Sequence, residues 1–153
     1  MYDVLEVSEY IINYSNEKQY GISNLKLQKI LYLVQAYFLI KKEHHTPCFD
    51  DQIEAWDFGP VVPKAYRVYK KYGSSDISVA EPQVTMLFGE NKEITNEDKE
   101  LINSVVDAYR NYSATDLVKL THEQDPWKNT YVKYRNRIIT IDSMRKYFNA
   151  GRC

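Results

Sequence analysis

Cysteine is nearly missing from the chain: only Cys48 and Cys153 occur, with no CxxC pair. Two isolated thiols make neither a disulfide framework nor a zinc knuckle, and they fit a reducing compartment. Histidine is almost as scarce, with three residues. His44 and His45 are adjacent, so on a helix they point in different directions. His122-Glu123 begins like a zincin motif, but Pro126 stands where the second histidine belongs, and no metal site is expected. Glycine is limited to five residues, and no turn that holds one has a phosphate-loop or G-x-S-x-G pattern. The formal net charge of −1 excludes a general polyanion binder. No long hydrophobic run occurs either. The richest apolar stretch, Ile30 to Ile40, is interrupted by Gln35 and is far short of a membrane span. The start, "MYDVLEVSEY", carries acids and lacks the basic opening of a signal peptide. A soluble, cytoplasmic protein with no cofactor and no membrane partner is expected.

What is present describes one globular domain over residues 1–153, with 44% hydrophobic and 27% charged residues. Val4, Val7, Ile11 and Tyr14 make one face of an amphipathic helix, with Asp3 and Glu6 at capping-box spacing. Asn24 is placed to cap a second helix, where Leu27, Ile30, Leu31, Val34 and Phe38 recur at helical spacing. Leu25, Leu33, Tyr37 and Leu39 add apolar groups outside that stripe, which marks this helix as the buried central one. "KKEHHTP" stops it, and Ile53 to Trp56 reads as a brief extended piece. Pro63 suits the first turn of a helix with Tyr66, Tyr69 and Tyr72 along one face, ended by Gly73. Residues 74 to 95 are the least patterned, and within them "ISVAEPQVTMLFGENKEI" allows one short strand or hairpin, with Pro82 arguing against a central strand. Thr95 with Asp98, and Ser113 with Asp116, are spaced to open two further helices. Asp125 as cap and Pro126 in the first turn start another, "RIITID" reads as an extended link, and "DSMRKYF" as a last helix. The expected fold is mainly α, a single compact domain of five to seven helices with minor short β pieces.

The segment "EAWDFGPVVPKAYRVYKKYG", residues 54 to 73, is the most constrained. Pro60 biases Gly59 away from the helical region, and Pro63 does the same to Val62 before starting a helix. A rigid extended turn clamped by Trp56 follows from local sterics alone. Elsewhere, "YVKYRNR" (Tyr131 to Arg137) interleaves three cations with two tyrosines. Such a run can contact phosphates and bases, but near-zero net charge favours a solvated face with stems lying over rings. Fourteen tyrosines suit a surface that meets another surface, because tyrosine is amphipathic, although helical spacing puts many at the core edge.

Four ordered blocks carry a resemblance. "LKLQKILYLVQAYFL" (Leu25 to Leu39), the Trp56 corner, "LTHEQDPWKNTY" (Leu120 to Tyr131) and "ITIDSMRKYF" are together similar to the Panacea domain, also described as the SocA-like antitoxin domain. The resemblance runs from the first helix to about Phe148, while residues 77 to 94 match nothing in it. It implies a bare antitoxin domain from a bacterial or phage toxin–antitoxin pair, which neutralises a cognate toxin by direct protein binding. In the family the domain is paired with many unrelated toxins, and one member type is an adaptor that delivers its toxin to a AAA+ protease.

The motif residues that carry over are Leu27, Gln28, Lys29, Tyr32, Trp56, Gly59, Pro60, Val61, His122, Pro126 and Trp127. Most are expected to be structural, with two Trp-Pro corners bracing the central helix. Gln28 and Lys29, polar within an apolar helix, must either hydrogen-bond a corner or face a groove. Lys29, Tyr66, Arg67 and Tyr69 are the expected partner-binding residues, and no catalytic residue is expected. Two other readings stay open. One is a phage or mobile-element accessory protein that binds a host defence or regulatory protein. The other is an enzyme centred on His122, Glu123 and Asp125, which requires those side chains to converge on a pocket.

Overall fold

The computed structural model describes residues 1–41, 46–81 and 93–150. His44, His45, Pro82, Cys153 and most of the 77–94 segment lie outside the described residues. Among the described residues the chain forms seven α-helices and three short strands. In chain order these are α1 (Val4–Glu17), α2 (Asn24–Lys41), β1 (Ile53–Trp56), β2 (Gly59–Val61) and α3 (Pro63–Tyr69), which a 3-10 turn over Lys70–Tyr72 extends. Then follow α4 (Asn96–Ala108), α5 (Ala114–His122), α6 (Asp125–Lys128), β3 (Ile138–Ile139) and α7 (Ile141–Asn149). The fold is mainly α with minor β, as expected.

Local chemistry starts most helices where the spacing predicts. Asp3 caps α1 by accepting from the Leu5 N–H at 2.8 Å. Thr95 caps α4 through the Asp98 N–H, and Ser113 and Asp116 close a reciprocal capping box on α5. Gly73 ends the 3-10 turn at φ 57°, a conformation that glycine adopts without steric cost. Two caps are shifted by one residue. Ser23, not Asn24, occupies the capping position of α2 and accepts from the Lys26 N–H, because the Asn24 side chain is engaged in the interior. Asp125 likewise falls inside α6, with Gln124 at the cap position.

Helix α2 is the axis of the molecule and packs against α1, α3, α4, α5, α7 and β2. Its apolar residues point in all directions because it has neighbours in all directions. Gln35, the break in its apolar run, is buried and serves the preceding loop of β1. Its amide donates to the Phe49 carbonyl at 2.8 Å, and its oxygen accepts from the Cys48 N–H at 2.8 Å. The sheet has the order β2-β1-β3, all antiparallel, with Trp56 opposite Gly59 and Ile53 opposite Ile139. Asp57 and Phe58 form the two-residue turn between β1 and β2, so the corner stands at one end of α2 as a hairpin laid on it.

Candidate functional site

The hairpin is locked to α2 by a chain of buried polar groups. Gln28 accepts from the Val62 N–H at 3.0 Å and donates to Asn24 Oδ1 at 2.9 Å. Asn24 in turn donates to the Tyr66 carbonyl at 3.1 Å. Lys29, fully buried, donates from Nζ to the Pro60 carbonyl at 3.0 Å. The extended stretch before Pro63 leaves the Pro60 carbonyl and the Val62 N–H without helical partners, and α2 supplies them. Gly59 lies at φ 105°, and a Cβ there would stand 2.6 Å from Lys29 Cε and 2.9 Å from Thr121 Oγ1. Only glycine fits between the hairpin, α2 and α5.

The second corner clasps the first. Trp127 Nε1 donates to the Trp56 carbonyl at 2.8 Å, and its ring lies between His122 (3.9 Å) and Tyr131 (4.6 Å), both stacked. Tyr131 donates from its hydroxyl to the Asp57 carboxylate, and Tyr32 donates to Gln124 Oε1 at 2.9 Å. Trp56 itself is half-buried, with Tyr66 at its edge and its Nε1 donating to Glu54. Burial pushes the Lys29 ammonium down to about 7. Burial also lowers His122, and the nearby Lys29 charge adds to that shift. Thr121 and Gln124, both buried, complete the arrangement. The sequence offered only their place in the "LTHEQDPW" block.

The expected partner residues are not brought together. Lys29 and Tyr69 are fully buried, which corrects their assignment to a partner surface. Lys29 is spent on the corner, and the hydroxyl of Tyr69 accepts from the Glu81 N–H. Tyr66 is half-buried on a groove, whereas exposed Arg67 lines a separate cleft with Asp50, Asp51 and Glu54. Leu27, Gln28, Tyr32, Gly59, Pro60, Val61 and Pro126 are all buried. Glu123 and Asp125 open on different clefts, and His122 lines neither. Among the described residues no three His, Cys, Asp or Glu side chains group as metal ligands, and no helix is long and apolar enough to cross a membrane.

The groove beside the hairpin has a volume of about 690 Å³ and is lined by Trp56, Phe58, Tyr66, Lys70, Tyr134 and Asn136, among others. Phe58 is 66% exposed and Tyr134 87% exposed, so two large rings stand at its lips. Neither ring stands out in the sequence, where Phe58 lies inside the corner and Tyr134 lies within a run of cations. Their signal is only that rings occur where nothing in the fold requires them.

Residues 27–128 match the family described as Antitoxin SocA-like, Panacea domain. That span runs from within α2 through α6, and so takes in both corners together with Gln28 and Lys29 of the polar lock. Among curated proteins, the chain is 30% identical over 130 residues to "Antitoxin SocA" of Caulobacter vibrioides (strain NA1000 / CB15N), covering 82% of this chain and 68% of that one. No solved structure matches it. The chain belongs to the SocA-like Panacea domain family of antitoxins.

Proposed function

We propose that the chain is the antitoxin of a bacterial or phage toxin–antitoxin pair and neutralises its cognate toxin by binding it directly, without catalysing a reaction. The observation that carries this reading is membership of the antitoxin family, with the matched span enclosing the hairpin and the Gln28 and Lys29 that hold it. The geometry is consistent with it. Polar side chains that a catalytic site would expose are here spent on backbone groups: Gln28 on Val62, Lys29 on Pro60, Gln35 on Phe49. At the corner the Phe58 ring reaches the surface, and aromatic anchors are favoured in protein interfaces.

Co-expression with the product of the adjacent gene tests the proposal. The neighbour alone should arrest growth, and this chain should restore it while co-purifying with the neighbour. A neighbour harmless by itself, or equally toxic in the presence of the chain with no complex recovered, contradicts it.

A further inference from the structure

The groove beside the hairpin sets a recess next to a projection. Val61 is buried in its wall, and Trp56 and Tyr66 are half-buried and meet edge-on at 5.0 Å. Beside that recess Phe58 leaves the hairpin turn with 66% of its surface in water. Tyr134 stands 87% exposed on left-handed backbone at φ 69°. A bulky side chain is rarely held in that backbone region, and such strain persists where it aims a group for use. Exposed rings gathered at one recess mark a surface that meets another.

Charge indicates what the other surface is. The charged side chains that line the groove are one cation and one anion, Lys70 from the 3-10 turn and Asp57 from the hairpin turn, and both are exposed. Lys70 joins no ion pair among the described residues. Asp57 accepts from the Tyr131 hydroxyl through Oδ1 alone, so it keeps its charge and has Oδ2 left for a second donor. A wholly acidic or wholly basic partner would be attracted by one of these groups and repelled by the other. A surface with one charge of each sign answers both, and the same groove on a second copy is such a surface.

We propose that this groove pairs with the same groove of a second copy of the chain, as a two-fold dimer. The Phe58 ring of each copy enters the recess of the other against Val61 and Tyr66, and Lys70 meets the partner's Asp57 on both sides of the axis. A two-fold interface makes every contact twice, so it requires a patch that complements itself: a projection beside a recess, and a cation beside an anion. Thirteen residues line the groove, fewer than the roughly 20–30 a side of a standard interface, so the dimer is weak and assembles in the micromolar range. The inference concerns the chain by itself and does not rest on the antitoxin reading.

Sedimentation velocity of the full chain, from low micromolar to several hundred micromolar, tests it. The average mass should climb from that of the 18.1 kDa chain towards twice that value. Phe58→Ala and Lys70→Glu should each weaken the dimer tenfold or more, with the unfolding midpoint of the dilute monomer unchanged, since both side chains are exposed. Asp57→Lys should also stay monomeric by itself. Mixed with Lys70→Glu it should pair again, because both contacts across the axis then join opposite charges. Tyr112→Ala, exposed outside the groove, should dimerise as wild type does. A mass that stays at one chain at every concentration overturns the inference, and so does a dimer that Phe58→Ala and Lys70→Glu leave intact. Should Asp57→Lys fail to fold through loss of the Tyr131 bond, those two variants still decide. A chain that is monomeric alone yet holds the adjacent gene's product leaves the antitoxin reading standing.

Discussion

Lys29 shows how one residue is shaped by its surroundings. An ammonium group with a single carbonyl partner and no solvent is costly to keep charged, and burial pushes its pKa from 10.5 down to about 7. In the unfolded chain the same group keeps its proton up to its ordinary value. Between those two pH values the unfolded state therefore binds more protons, and stability rises with pH, by at most about 1.4 kcal/mol per unit. His122, the titratable neighbour, is lowered from 6.5 and contributes below that value. Tyr14, pushed up to about 12 by burial and by Asp107, acts in the opposite sense only above its ordinary pKa of 10.0. Urea unfolding of wild type and Lys29→Met at roughly pH 7.5 to 9.5 isolates the lysine. The wild type should gain on the variant as pH rises, and parallel curves would show that Lys29 is already solvated. Gly59→Ala should cost about 2–4 kcal/mol, from left-handed strain plus the clash with Lys29 and Thr121, read as a lower unfolding midpoint. That Lys29 needs a partner is legible in an otherwise apolar helix. Which way it turns is not, because Pro60 lies thirty-one residues away in the chain.

At the scale of elements, helix starts and the Gly59–Pro60 corner follow from local sterics and capping, so they can be read from the chain. Pairings across distance cannot. The bond from Trp127 to the Trp56 carbonyl spans seventy-one residues, and β3 joins β1 from near the C-terminal end. Asn24 illustrates the limit: by residue type it is a good cap, yet the relay to Gln28 and Tyr66 claims its side chain and Ser23 caps instead. Because Trp56 is half-buried, Trp56→Ala should cost about 1–3 kcal/mol, less than a fully buried ring would. Trp127→Phe keeps an aromatic ring but loses the indole N–H, and should cost about 1 kcal/mol. Thermal unfolding of the two variants checks both figures. Equal losses for Trp127→Phe and Trp127→Ala would mean that the hydrogen bond, not the stack, holds the corners together.

At the scale of the whole molecule, α2 organises two corners: Gln28 and Lys29 turn inward to the hairpin's backbone groups, while the Phe58 ring stands exposed at its turn. The separation matters for function. Residues that build the scaffold are named by the family motif, whereas Phe58 and Tyr134 at the groove's lips lie outside it. A scaffold of this kind permits the recognition surface to change without loss of fold. The four sequence blocks pointed to the family, but burial of Lys29 and Tyr69 became visible only in three dimensions.

The central claim, that the chain acts by holding another protein without altering it, is tested most directly by mixing the purified chain with the adjacent gene's product. The mixture is resolved by size-exclusion chromatography with light scattering, and both chains are weighed by intact-mass spectrometry. A single stoichiometric complex of two unmodified chains is predicted. Neutralisation without a complex, or with a changed mass on the partner, contradicts the claim.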